Sequence, residues 1–205
     1  MRHEARLWLT NTAAVRDDDV QAWLPLLSES EAARYRRFVR PLRQRQFLIG
    51  RVMLRRALCA VLDLPAGVPV VEEHVGHAPR VTLPAGVPAP GFSIAHSGDW
   101  VACAVSAGTA LGLDIELLDP GRDIIALAEQ NFDAIELAAL GMEPPARRMA
   151  AFYRMWSGKE ARFKLGAAFD AQASCIALPH PHLSIVVCSA QPLAAAPAIE
   201  AFDIA

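Results

Sequence analysis

Lysine is nearly absent from this sequence. Of the 20 basic residues only two are lysines, Lys159 and Lys164, and they lie five positions apart. A preference for arginine codons accounts for the scarcity of lysine and agrees with the abundant alanine. It does not account for the two lysines lying together, so residues 159–164 are a candidate site.

Other features that are missing limit the class of protein. A net charge of −2 gives the chain no overall attraction for nucleic acid or anionic membranes. No run of 18 apolar residues is present, and the first residues lack the apolar core of a signal peptide, so we expect no membrane span and a cytoplasmic protein. The cysteines, without a C-x-x-C pair, predict buried thiols rather than disulfides or a zinc site. They are Cys59, Cys103, Cys175 and Cys188.

Acidic residues are missing from one long basic segment. Residues 32–62 contain nine arginines and no Asp or Glu. The apolar spacing predicts an amphipathic helix over 42–62, with Arg43, Arg51 and Arg55 on one flank. This flank is either a solvated arginine face or, since the segment has no acidic partner, an anion-binding surface. Contact with nucleic acid is a weaker interpretation, because no nucleic-acid-binding motif is present.

The remaining patterns predict an α/β (α+β) fold. Short strands and turns are expected over 65–90, where Pro and Gly are frequent, and three later strands should form a meander. The segment 123–141 predicts one helix or two short ones, and 147–166 predicts a long helix. The expected strands are 92–95, 101–106, 111–116 and 183–189, with a possible last strand near Ile199.

Two carboxylates lie at the end of the third of these strands. Side chains alternate between the faces of a strand, so Asp114 and Glu116 share a side while Ile115 points into the core. Two carboxylates so close repel each other unless a cation lies between them. The pair therefore predicts either a Mg²⁺ site, since this ion prefers oxygen ligands, or a solvated strand end.

The helix that carries both lysines has further polar groups. At helical spacing Trp156, Glu160, Phe163 and Lys164 share one side. We expect Trp156 and Phe163 in the core, while Glu160 and Lys164 form a surface ion pair or supply a third carboxylate and a phosphate ligand. His96 follows a strand at a turn, where it is either structural or a donor to phosphate.

Taken in order, these segments resemble one protein family. FSIAHSGDWVACAVS, LGLDIE and WSGKEARFK are similar to the motifs of 4′-phosphopantetheinyl transferases of the surfactin-synthetase (Sfp) type, and the basic helix extends the resemblance over residues 34–166. The resemblance implies a pseudo-dimer of two similar α/β lobes, which we place at 1–108 and 109–205. It also implies transfer of the phosphopantetheine arm of coenzyme A to a serine of an apo carrier protein, with Mg²⁺ and release of adenosine 3′,5′-bisphosphate.

The resemblance also assigns roles to individual residues. The positions that match the family's Mg²⁺ ligands are Asp114, Glu116 and Glu160. Glu160 is implied to be a metal ligand, the base for the attacking serine, or both, and the implied catalytic residues are Glu160, Lys164 and Asp114. The residues implied to bind coenzyme A are Arg43, Arg51, His96, Lys159 and Lys164.

The resemblance leaves a second function open. Many relatives have a lysine where this chain has Ala78, and a serine where it has Ala95. A non-catalytic protein that binds coenzyme A or a carrier protein is therefore the alternative to an active transferase. The implied partner is an acyl or peptidyl carrier protein of unassigned pathway, with no nucleic acid and no membrane, and the family's two-lobed members predict a monomer.

Overall fold

A computed structural model of the protein describes residues 3–74 and 76–202. The described chain is a mixed α/β structure of three sheets and the helices packed on them. Its strands and helices follow in the order β1 (Arg6–Asn11), α1 (Asp17–Trp23), α2 (Glu29–Arg37), α3 (Pro41–Leu62), β2 (Val70–Glu72), β3 (Arg80–Thr82), β4 (Gly91–Ser97), β5 (Trp100–Ser106), β6 (Leu111–Leu117), α4 (Ile124–Asn131), α5 (Ala134–Met142), α6 (Pro145–Leu165), β7 (Ser174–Leu178), β8 (Leu183–Ser189) and β9 (Ile199–Ala201).

The two long predicted helices are confirmed as α3 and α6. Each begins with a proline in its first turn, where the missing N–H costs no hydrogen bond. Helix α3 ends where Asp63 adopts a left-handed conformation with φ 52°. The segment 123–141 forms the pair of short helices α4 and α5, and the strands near 183–189 and Ile199 are confirmed as β8 and β9.

Two sheets lie between the two long helices. The larger sheet has the order β4-β5-β1-β9 and the smaller has the order β6-β8-β7, while β2 and β3 form a separate hairpin. Alternate side chains of the larger sheet pack against α3 on one face and against the smaller sheet on the other. The far face of the smaller sheet packs against α6 through Val186 and Cys188. Asp114 belongs to this far face, because Leu113 and Ile115 face the larger sheet.

The predicted three-stranded meander is wrong in its last strand. Strands β4 and β5 form the expected hairpin, but β6 pairs with β8 in the other sheet. The strand predicted at 111–116 is confirmed as β6, but its pairing depends on β8, more than 60 residues further along the chain, which local spacing does not reveal.

The sheet pairing crosses the predicted lobe boundary at 108/109. Strand β9 runs parallel to β1, so residues 199–201 complete the sheet that the N-terminal half begins. The boundary itself and the two-lobed pseudo-dimer stay predictions.

The expectation of four free thiols is wrong for two of them. Cys175 and Cys188 are directly opposite each other in the register of β7 and β8 and form a disulfide. Their separation of 13 positions gives no sign of this pairing in the sequence. Cys103 is buried and Cys59 partly buried, both unpaired, as expected. None of the helices in residues 3–74 and 76–202 is long and apolar enough to span a membrane.

Candidate active site

A cleft of about 550 Å³ lies between α3, the loop 76–79, β4 and the end of α6. Four residues that the sequence predicted to bind coenzyme A line it. These are Arg43, Arg51, His96 and Lys164. Because they come from three separate elements, their meeting in one cleft is a product of the fold.

Arg43 is the least constrained cation of the α3 wall. Its guanidinium donates to Gln46 Oε1 at 2.6 Å, contacts His96 Nε2, and lies over the ring of Phe38. Partial burial and the charge of Arg34 lower the pKa of Arg43, although a guanidinium stays protonated. Among the described residues no carboxylate contacts it, so its charge is available to an anion in the cleft.

Arg51 lies in the same wall but is held in a buried ion-pair network. Its side chain is only 8% exposed and pairs with Glu73 and, at 3.2 Å, with Glu31. Glu73 also accepts from Arg34, and Glu31 accepts from Arg55 at 2.5 Å. The segment 32–62 lacks acidic residues, but α2 and the chain after β2 supply them. The inference that these arginines have no acidic partner is therefore wrong for Arg51 and Arg55.

His96 lies at the end of β4, facing the cleft. Desolvation, followed by the charges of Arg43 and Lys164, lowers the pKa of His96 to about 4, so the ring is neutral at pH 7. A guanidinium only donates, so the ring accepts from Arg43 at Nε2 and its own proton is on Nδ1. His96 is therefore a neutral hydrogen-bond acceptor for Arg43 at the edge of the cleft.

Asp114 is a buried carboxylate, and only one of its two oxygens has a hydrogen-bond partner among the described residues. Its Oδ1 accepts from Lys164 Nζ at 2.8 Å, whereas its Oδ2 is buried and accepts no hydrogen bond from the described residues. Desolvation raises the pKa of Asp114 to about 6 against the opposing effect of Lys164, and the nearby charges of Glu116 and Glu160 contribute to the increase. A buried carboxylate that two others repel is stabilised when a cation joins it.

These three carboxylates are the predicted Mg²⁺ ligands. In the part of the chain that the structure describes, no group of three or more His, Cys, Asp or Glu side chains is arranged so as to hold a metal ion. Glu116 is only partly buried and its Oε2 accepts from Ser97 Oγ at 2.8 Å. The unpartnered oxygen of Asp114 and the mutual repulsion of the carboxylates nevertheless fit a divalent cation, which needs oxygen ligands and negative charge.

A close backbone approach sets Lys164 beside Asp114. A Cβ on Gly112 would lie 2.0 Å from the carbonyl oxygen of Ala161, so β6 and α6 are in direct backbone contact there. One turn further along α6, Lys164 Nζ donates to Leu113 O at 3.0 Å as well as to Asp114. The partly exposed Lys164 thus joins the carboxylates to the cleft.

The structure does not bring Lys159 to the cleft. Its ammonium donates to Glu136 Oε2 at 2.7 Å and to Asn131 O at 2.9 Å, on the α4–α5 side of α6. Phe163, expected in the core, is 81% exposed and lines the cleft, which corrects that prediction. The end of α6 packs through Ala161 and Leu165 instead, while Trp156 is half-buried against the α4–α5 cluster.

Comparison with known proteins identifies the family. A family model described as the 4′-phosphopantetheinyl transferase superfamily matches residues 110–174. The 4′-phosphopantetheinyl transferase AcpT of Salmonella typhi is 32% identical over 166 residues, which cover 76% of this chain and 81% of the relative. This chain belongs to the 4′-phosphopantetheinyl transferase family. The transferase psf-1 of Bacillus pumilus is 34% identical over 69% of this chain, and the chain covers 58% of that relative. A Bacillus subtilis transferase is 32% identical over 67% of this chain, with 59% of the relative covered.

Several residues around the site of this family member were not predicted from the sequence. Glu31 was signalled by the Ser28-x-x-Glu31 capping box that begins α2, which the spacing of Ser and Glu made visible. Gln46 and Glu73 had no signal of their own. Gln46 links Arg43 to the turn after β4 by donating to Gly98 O at 2.6 Å, and Glu73 holds Arg34 and Arg51.

Proposed function

We propose that this protein transfers the 4′-phosphopantetheine arm of coenzyme A to a serine of an apo acyl or peptidyl carrier protein, with Mg²⁺ as the cofactor. The observation that carries the proposal is the position of Lys164. It lines the cleft that Arg43 and His96 also line, and it donates to the buried carboxylate Asp114. An anionic donor and the groups that act on its pyrophosphate would meet at this point.

The α3 side of the cleft suits the nucleotide end of coenzyme A. Arg43 has a charge there that no described carboxylate pairs with, and the neutral ring of His96 accepts a hydrogen bond from it. Arg51 contributes through the buried network that fixes the wall. Because Arg45 and Arg51 pair with Asp17, Glu31 and Glu73, α3 presents no continuous basic face of the kind that nucleic acid requires.

The carboxylate side suits the metal and the chemistry. Asp114, Glu116 and Glu160 would hold the Mg²⁺ ion, which when bound supplies positive charge beside the pyrophosphate. Glu160 accepts the proton of the carrier serine as the serine oxygen bonds to phosphorus. The bond from that phosphorus to the oxygen of the departing adenosine 3′,5′-bisphosphate breaks in the same transfer.

Lys164 is suited to the leaving group. An ammonium has three N–H donors, and Leu113 O and Asp114 Oδ1 take two of them. The third remains for a pyrophosphate oxygen. Arginine at this position would stay protonated. Lysine supplies a positive charge and is also able to donate its proton as an acid.

The finer assignments belong to the same proposal. The motifs at His96, Asp114 and Glu160 favour the surfactin-synthetase (Sfp) type, with two similar lobes acting as a monomer. We place the reaction in the cytoplasm, as the sequence predicts. Lys159 is the exception among the predicted ligands, because its contacts with Glu136 and Asn131 fit a role in holding α6 against α4 and α5.

The test is the mass of the carrier protein. Purified protein with coenzyme A and Mg²⁺ is incubated with a panel of apo acyl and peptidyl carrier proteins, and intact-mass spectrometry should show the gain of one phosphopantetheine arm. Glu160→Gln should abolish the gain, whereas Glu129→Gln, a matched change of an exposed glutamate on α4, should not. Calorimetric binding of coenzyme A without any mass gain across the panel would instead support the non-catalytic alternative.

A further inference from the structure

Two serines of β4 join the two main sheets. Ser93 Oγ accepts a hydrogen bond from the amide of Leu113 at 2.9 Å, and Ser97 Oγ accepts one from the amide of Leu117 at 3.0 Å. The serines are four residues apart on β4, and so are the amides on β6. Each hydroxyl therefore accepts a hydrogen bond from an amide of β6, as a backbone carbonyl of a neighbouring strand does inside a sheet.

Ser97 has a partner that Ser93 lacks. Its hydroxyl donates to Glu116 Oε2 at 2.8 Å, while among the described residues no carboxylate contacts Ser93. A serine hydroxyl has one proton, and donation to Glu116 uses it. The same hydroxyl accepts from the Leu117 amide, which fixes its direction. The hydrogen bond from Ser97 therefore restrains the position of the Glu116 carboxylate.

Glu116 is a side chain that needs such a constraint. It is only partly buried, and it lies two residues from Asp114 on the same side of β6, so the two negative charges are neighbours. Repulsion between the two carboxylates favours rotamers that point Glu116 away from Asp114. A hydrogen bond to Oε2 opposes that movement and holds the two groups on the same side of β6.

The turn after Ser97 also contacts the opposite wall of the cleft. Gly98 O accepts from Gln46 Nε2 at 2.6 Å, and Gln46 Oε1 accepts from Arg43 Nη1. We infer that Ser97 is a positioning residue, which orients Glu116 for a divalent cation and fixes that carboxylate relative to the cationic wall. This inference rests on the proposed function, since it gives Glu116 the role of a metal ligand.

Ser93 and Ser97 provide a matched pair of variants. Ser97→Ala and Ser93→Ala each remove one hydroxyl that joins β4 to β6, but only Ser97→Ala removes the bond to Glu116. Binding of Mn²⁺ alone to the full chain is measured by the electron paramagnetic resonance signal of the free ion. Groups that orient a metal ligand contribute about 10- to 100-fold to metal affinity, so we expect Ser97→Ala to weaken Mn²⁺ binding by at least about tenfold and Ser93→Ala to leave it unchanged.

Two further measurements separate orientation from folding. Ser97→Thr keeps the hydroxyl and should restore Mn²⁺ affinity toward that of the wild type. In thermal unfolding Ser97→Ala should lose no more stability than Ser93→Ala, because each removes one acceptor between the sheets and the additional bond of Ser97 is to the partly buried Glu116. In the transfer assay Ser97→Ala should need a correspondingly higher Mg²⁺ concentration for half-maximal rate.

The outcomes distinguish this inference from the proposed function. Equal Mn²⁺ affinity of the two alanine variants, or a wild-type protein that binds no Mn²⁺, would show that Ser97 does not orient a metal ligand. A wild-type protein that binds Mn²⁺, loses affinity on Ser97→Ala and modifies no carrier protein would support the positioning role and contradict the proposed function.

Discussion

Replacing Arg51 should damage stability, whereas replacing Arg43 should damage ligand binding, although the sequence assigns both arginines to coenzyme A. Arg51 is 8% exposed, and it pairs with Glu31 and Glu73, whose side chains are 0% and 6% exposed. Arg51→Met would remove the charge shared by these two buried carboxylates. Removing one partner of a buried ion pair costs about 3–5 kcal/mol, because the other charge stays buried without compensation.

The expected cost at Arg51 lies at or just below the lower limit of that range. Glu31 keeps Arg55, and Glu73 keeps Arg34, so neither carboxylate is left alone. We therefore expect Arg51→Met to lower the free energy of unfolding by about 2–3 kcal/mol. Arg43→Met loses contacts with Gln46, His96 and Phe38 but breaks no ion pair, and should cost less than about 1 kcal/mol.

Coenzyme A binding should show the opposite order. A hydrogen bond to a charged group contributes about 1.5–3 kcal/mol, so Arg43→Met should weaken the affinity by at least about tenfold. Urea denaturation gives the unfolding free energies, and calorimetric titration with coenzyme A gives the affinities. If Arg51→Met has the stability of the wild type and loses coenzyme A binding, Arg51 is a ligand and the ion-pair network is not structural.

Two further predictions concern β6. Because burial raises the pKa of Asp114 from 3.8 to about 6, its contribution to stability is greatest at low pH and declines as the pH rises from about 4 to about 6. Asp114→Asn should therefore raise the free energy of unfolding at pH 7 by up to about 3 kcal/mol while abolishing transfer, and a less stable variant in urea denaturation at pH 7 would refute this. Gly112→Ala should destabilise the protein by about 1–3 kcal/mol and lower transfer, because its Cβ would lie 2.0 Å from Ala161 O. The control Gly141→Ala, with open space around the added methyl group, should keep its melting temperature; full activity of Gly112→Ala would contradict the reasoning.

The elements that the sequence predicted correctly have strong local signals. Helix α3 has apolar residues at helical spacing, a proline at its start and a proline after its end. Helix α6 has a proline at its start and a glycine at its end. Strand β1 was missed although its side chains are mostly buried, because RLWLTN at the N-terminus is a short apolar run without the turn residues that mark a strand on both sides.

For the site residues as well, the sequence predicted local placement but not the partners that come from distant parts of the chain. Asp114 and Glu116 were expected on one side of a strand, and Asp114 does face α6 while Ile115 lies in the core between the sheets. Their hydrogen-bond partners were not predicted. Lys164, the partner of Asp114, comes from helix α6, and Ser97, the partner of Glu116, comes from the other main sheet. The opposite directions of Lys159 and Lys164 follow from the helix rotation between positions five residues apart, combined with the packing of α4 and α5 on only one side of α6.

The sequence by itself determined the local structure and the chemical inventory: two long helices, several strands, three carboxylates, two lysines and an arginine-rich segment in a recognisable order. Only the tertiary structure decided which of those charges are free. It paired Arg51 with Glu31 and Glu73, left Arg43 facing the cleft, and joined Glu116 to Ser97. The physical reason is that secondary structure depends on neighbours within a few positions, whereas the state of a charge depends on burial and on partners that the chain brings from far away.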